Sequence, residues 1–186
     1  MMFSKMKIFT ILALFVTTIF VSSSKVSKDL ITKIEGDYIQ VYSNYYIQST
    51  HEIDWRCVNA SLKATNDEQQ YINITKSAKL HGIHSDTIIT INQYNLTQSM
   101  NYLLFKSFKE SLQVRGLGPA KNGQYQYLIL TGYNNMTMYV LARNFTSFMQ
   151  DYNTNVRHIL NTWDYTGTYK SPVYTYGNDC LPSQTK

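Results

Sequence analysis

Charge is scarce in this chain and nowhere concentrated. Asp, Glu, Lys and Arg together make up 16% of its 186 residues. No run of Lys or Arg occurs, so the electrostatic footprint of a nucleic-acid binder is missing. The formal net charge of +5 includes Lys5 and Lys7; without them, 15 basic residues face 12 acidic ones. Cysteine is limited to Cys57 and Cys180, and no internal repeat or low-complexity tract interrupts the chain. Long apolar runs are missing too, apart from one near the start. That run, Ile8 to Val21, is about fourteen residues, short of the roughly 20 that a spanning helix needs.

Catalytic constellations are equally thin. His81 and His84 offer two imidazoles without an evident third metal ligand. Asp151, Asp164 and Asp179 form no acid pair, and Gly116-Leu117-Gly118-Pro119 lacks the Gly-Lys-Ser/Thr ending of a phosphate loop. No enzyme activity, metal or cofactor is expected.

What the chain does have begins at its N-terminus. Lys5 and Lys7, the apolar run and Ser22-Ser23-Ser24 have the order of a secretory signal peptide. Residues 1–24 are read as that signal, and residues 25–186 as one domain, secreted and without stable membrane insertion. Two cysteines in an oxidising compartment most simply form one bridge, Cys57 to Cys180. Its loop of roughly 120 residues corresponds to about 3–5 kcal/mol in the chain-entropy model. Five Asn-x-Ser/Thr sequons, at Asn59, Asn73, Asn95, Asn135 and Asn144, are candidate glycan sites in such a compartment.

Tyrosine is abundant, with 16 copies, and suits strands and pocket walls alike. Strand-like segments fall at 36–46, 55–65, 69–78, 86–94, 101–109, 111–117, 124–131 and 137–143. The period then lengthens. Phe145, Phe148, Met149, Tyr152, Val156, Ile159, Leu160 and Trp163 recur at helical steps and predict an amphipathic helix of about five turns. Val173 to Tyr176 reads as a last short strand. A glycan cannot face a core, so Asn59 and Asn73 point outward, and Val58, Ala60, Leu62, Ile72 and Ile74 inward. The phase of Asn95 would expose Ile89 and Ile91, so Asn95 is expected in a loop.

Taken together, these elements resemble the lipocalin family, in its apolipoprotein D and bacterial-lipocalin branch. Gly36-Asp37-Tyr38 is similar to the family's opening Gly-x-Trp, with Tyr in place of Trp. Val140-Leu141-Ala142-Arg143-Asn144 is similar to the segment whose Arg closes the barrel base. The middle motif departs from the pattern: Thr131-Gly132-Tyr133 matches by letter, while spacing favours Tyr125. Cys57 and Cys180 match a bridge common in that branch. The resemblance implies an eight-stranded antiparallel up-and-down β-barrel with one C-terminal helix packed outside. It assigns base closure to Gly36, Tyr38 and Arg143.

The expected function is secreted binding and transport of a small hydrophobic ligand inside the barrel. Inward ligand-contacting residues are expected to be Tyr42, Val58, Ala60, Leu62, Ile72, Ile74, Tyr127, Ile129 and Tyr139. Their opposites Ile39, Val41, Leu128, Leu130, Met138 and Val140 are expected under the helix. Arg56 and Lys76 share the inward phase and are candidates for pairing with a ligand carboxylate at the mouth. The alternative is a glycosylated interaction protein with a filled barrel, whose loops bind a receptor. The oligomeric state is left open.

Overall fold

The computed structural model describes residues 26–65, 71–80, 87–99, 102–107, 111–132, 135–177 and 180. Residues 1–24, expected to be a signal segment, and His81, His84, Tyr133 and Asp179 lie outside them. The described residues open with a short helix, α1 (Lys28–Ile34), then β1 (Gly36–Asn44) and a second short helix, α2 (Tyr45–Thr50). β2 (Trp55–Ala64), β3 (Tyr71–Leu80), β4 (Thr87–Ser99), β5 (Tyr102–Lys106) and β6 (Ser111–Leu117) follow. A two-rung hairpin, β7 (Ala120–Lys121) with β8 (Gln124–Tyr125), leads into β9 (Tyr127–Gly132) and β10 (Met138–Ala142). One helical stretch then runs from α3 (Phe145–Ser147) through a π-helical turn (Phe148–Tyr152) into α4 (Asn153–Thr162). A single turn, α5 (Gly167–Lys170), and β11 (Pro172–Tyr174) complete the described elements.

Each barrel strand pairs antiparallel with its neighbour in the order β10-β9-β6-β5-β4-β3-β2-β1, and β1 pairs back onto β10. The result is a closed eight-stranded up-and-down barrel with the C-terminal helix outside. Closure leaves no free end strand on the ring.

Alternation drives the middle strands. In β2 and β3, Ala60, Leu62, Ile72 and Ile74 are buried, while Asn59 and Lys63 are exposed. They join a core inside the barrel with Tyr94, Phe105, Leu128 and Leu130. A second core lies between the barrel wall and the helix. Phe148, Val156 and Leu160 pack there against Val41, Tyr42, Ile129 and Val140. Each fully buried side chain of this size contributes about 1.5–3 kcal/mol. The π turn places both Phe148 and Tyr152 against Tyr127, with ring centroids 5.8 and 5.5 Å away.

Three departures from strict alternation correct the expected facing. In β1 the register slips between Gln40 and Tyr42, so Val41 and Tyr42 both lie on the helix side. Tyr42 therefore does not face the lumen; its hydroxyl donates to Asn153 Oδ1 at 2.6 Å. In β9 the phase is inverted. Leu128 and Leu130 are inside, and Tyr127 and Ile129 are under the helix. Four consecutive apolar residues carry no phase of their own, and pairing with β10 decides it. In β2 a bulge between Arg56 and Asn59, with Cys57 at φ 51°, leaves Arg56 exposed. A bulge adds one residue and reverses every side chain beyond it.

Asn95 is not in a loop. It pairs with Tyr71 within β4 and is exposed. Ile89 and Ile91 point outward, 64% and 67% exposed. Strand propensity without burial holds them there: both pair with β3, opposite Ser77 and Thr75. The outer face of β2–β4 thus carries Asn59, Asn73 and Asn95 together.

The same bulges part β1 from β2 above Ile39 and Asn59. The tail fills the gap: β11 pairs with Tyr42–Asn44, and Cys57 N–H donates to the Thr175 carbonyl at 2.9 Å. The Cys57–Cys180 disulfide fastens it, across 123 residues of sequence.

At the opposite end α1 plugs the base, with Ile31 and Ile34 fully buried against the inner core. Arg143 stacks on Tyr38, its guanidinium carbon 4.4 Å from the ring centroid. Nη2 donates to the Glu35 carbonyl at 2.7 Å and to the Tyr38 hydroxyl at 2.8 Å. Nε donates to the Tyr125 carbonyl at 2.9 Å. Gly36 has φ 116°, and a Cβ there would lie 2.7 Å from Arg143 Nη1, so glycine alone admits the clasp.

Burial pushes the Tyr38 phenol up to about 12, and neighbouring Arg143 offsets only part of that. Burial raises Tyr42, Tyr127 and Tyr165 as well. The folded state therefore keeps protons that the unfolded chain releases near pH 10. Stability from these groups is complete below about pH 10 and falls as pH rises toward 12. Thermal melts across alkaline pH should show a level midpoint to about pH 9, then a steep fall, with the tyrosinate absorbance of the buried tyrosines appearing together with unfolding.

Candidate functional site

α2 and the turn after it fold over the end of the barrel opposite the Arg143 clasp. Ile47 of α2 is buried in the inner core. Below this cover lies a cavity of about 540 Å3. Its apolar wall comes from Ile74, Leu112, Leu130 and Leu141, with Tyr94 and Tyr139 adding rings. Trp55 stands at its rim, and Thr90 and Asn92 face it from β4. The size falls within the roughly 300–1,000 Å3 typical of small-molecule sites.

The structure sorts the sequence-derived contacts into three groups, with Val58 apart from them. Ile74 and Tyr139 line the cavity. Ala60, Leu62 and Ile72 belong to the inner core without lining it. Tyr42, Tyr127 and Ile129 are outside the barrel, under the helix. Val58 is fully buried beside the Cys57 bulge.

Sequence reasoning missed Tyr94, Leu112, Leu130 and Leu141. Tyr94 was readable: with Ile89 and Ile91 outward, Thr90, Asn92 and Tyr94 fall inward by simple alternation. It also missed Glu52, 3% exposed, which follows α2 in a segment without periodicity.

Lys76 faces the cavity, but its charge is already engaged. Its Nζ lies 2.7 Å from Glu52 Oε1 and 3.6 Å from the centroid of the Tyr139 ring. Gln40 faces the same interior, because its cross-strand partner Leu141 does. No group of three metal-ligating side chains occurs among the described residues. No helix among them is long and apolar enough to cross a membrane.

Neither a protein-family model nor a curated protein matches the chain. Among solved structures, it is similar to the siderocalin Ex-FABP, described as functioning through dual ligand specificities. The TM-score is 0.55, covering 78% of this chain and 95% of that one at 10% identity. Japanin from Rhipicephalus appendiculatus, solved with cholesterol bound, covers 80% of this chain and 97% of its own. Its TM-score is 0.47 at 10% identity. The likeness to Ex-FABP lies in the fold alone.

Proposed function

We propose that this protein is a secreted carrier of one small hydrophobic molecule, held in the upper half of the barrel. The observation that carries this reading is the cavity of about 540 Å3 walled by Ile74, Leu112, Leu130 and Leu141. Each ligand methylene moved from water into such a wall contributes about 0.8 kcal/mol. The Tyr94 and Tyr139 rings shape the wall, and polar groups at the Glu52 end orient the ligand. The disulfide and the signal-like N-terminus support an extracellular setting. The dual ligand specificities described for Ex-FABP accord with ligand carriage on this fold. Kinship with the apolipoprotein D branch rests on Gly36-Asp37-Tyr38, Arg143 and the Cys57–Cys180 link. Glycans at Asn59, Asn73 and Asn95 would screen one outer face and leave the cavity untouched.

The chain's two tryptophans provide the assay. Trp55 borders the cavity, and Trp163 is remote from it, packed on the outer core with Arg115 above its ring. In a Trp163→Phe variant, fluorescence reports the cavity alone. Titration with a panel of fatty acids, long-chain alcohols, sterols and retinol should change Trp55 emission saturably at one ligand per chain. A saturable change in the wild type that is lost in Trp163→Phe, or none across the panel, would remove the carrier reading.

A further inference from the structure

One end of the cavity is closed by an internal ion pair instead of a free charge. Lys76 and Glu52 both line the cavity, and their side chains are 13% and 4% exposed. The Glu52 carboxylate is well supplied with donors. Lys76 Nζ meets Oε1 at 2.7 Å, and Gln40 Nε2 and Gln48 Nε2 meet Oε2 at 2.6 and 3.3 Å. Beside it, the Gln40 Oε1 acceptor is buried and has no hydrogen-bond partner among the described residues. The Lys76 ammonium has three donors. One is used by Glu52, and the Tyr139 face takes another side of the charge.

This arrangement is selective by charge. A ligand carboxylate reaching Lys76 also meets the Glu52 carboxylate across the same short gap. A ligand ammonium reaching Glu52 meets Lys76. Either ion loses its hydration and gains a like-charged neighbour in a poorly solvated site. A hydroxyl avoids both penalties. It accepts from the Lys76 ammonium and donates to the Glu52 carboxylate, both of which line the cavity.

We propose that the carried molecule is an uncharged amphiphile whose hydroxyl group docks on the Lys76–Glu52 pair, and not a fatty acid or an amine. This rests on the carrier reading above. It assigns Lys76 a role opposite to that of a lone cation at a barrel mouth, because Glu52 has already neutralised it.

Chain-matched probes test it. 1-Dodecanol, dodecanoate and dodecylamine share one tail and differ only in the head. At neutral pH, calorimetric or Trp55 titration of the wild type should rank the alcohol about tenfold or more tighter than either ion. Glu52→Gln keeps the shape and frees the Lys76 charge, so the order of alcohol and carboxylate should invert. Removing both charges in Glu52→Gln/Lys76→Met should restore the alcohol to first place. Wild type binding dodecanoate best, or a ratio unmoved by Glu52→Gln in a protein that melts normally, overturns the head-group proposal alone. No saturable binding of any of the three overturns the carrier reading, and this proposal with it.

Discussion

Arg143→Met should lower stability by about 3–5 kcal/mol while leaving the side chain's apolar stem in place. The guanidinium joins four parts of the base at once. It meets the Glu35 carbonyl after α1, the Tyr38 ring and hydroxyl on β1, the Tyr125 carbonyl on β8, and the Lys33 carbonyl at 3.3 Å. Methionine leaves those acceptors without a donor in a half-buried site. It also removes a cation–π contact that contributes about 0.5–2 kcal/mol. For a domain of this size, each kcal/mol shifts the melting midpoint by about 2–4 °C, so the expected fall is roughly 10 °C. Arg143→Lys should recover less than half, because an ammonium cannot present the planar fork that reaches both strand and plug. Differential scanning calorimetry of the three proteins measures this. A fall below about 1 kcal/mol for Arg143→Met would mean the base is held by α1 packing alone.

Two neighbours on β9 should behave in opposite ways. Ile129 is fully buried between barrel and helix, and Leu130 is buried on the inside, against the cavity. Ile129→Ala opens a void in the outer core and should cost about 2–5 kcal/mol, with ligand affinity unchanged. Leu130→Trp, combined with Ile74→Trp, crowds the cavity. It should weaken ligand binding by about a hundredfold, with an overpacking cost of about 1–3 kcal/mol. Denaturant melts and ligand titrations on the same two proteins separate the effects. Equal loss of affinity in both would mean that the wall of β9 is not divided between two cores.

That pair of residues also marks where sequence reading succeeds and where it stops. Beyond the bulge, β2 and β3 alternate cleanly, so Ala60, Leu62, Ile72 and Ile74 were legible as inner residues, while the closed eight-stranded barrel followed from the resemblance carried by Gly36, Tyr38 and Arg143. The helix from Phe145 was legible by the same logic, since one buried stripe at helical spacing is hard to mistake. Tyr127–Leu130 are all buried. A strand covered on both sides loses the contrast that reveals its phase. Tyr42 and Arg56 were misplaced for another reason: a bulge is a backbone event, and nothing in the local pattern of apolar residues records the added residue. Ile89 and Ile91 misled because β-branched residues were assumed to need burial, which strand formation does not require.

The cavity's polar end was the least legible part. Lys76 has an inward phase that can be counted, but Glu52 comes from a turn following α2, a helix too short to show a period. Their approach within 2.7 Å is set by the splaying of β1 from β2 and the insertion of the tail between them. Two long-range features therefore decide the chemistry of the site.

The central claim is that this barrel is hollow above its core and carries a single molecule there. Native mass spectrometry of the protein recovered from the medium of secreting cells tests it most directly, with the Leu130→Trp/Ile74→Trp variant alongside. The account predicts one small uncharged molecule per wild-type chain, released on gentle activation and missing from the crowded variant. A folded wild-type protein that carries nothing and takes up nothing, or a crowded variant loaded equally well, would contradict it.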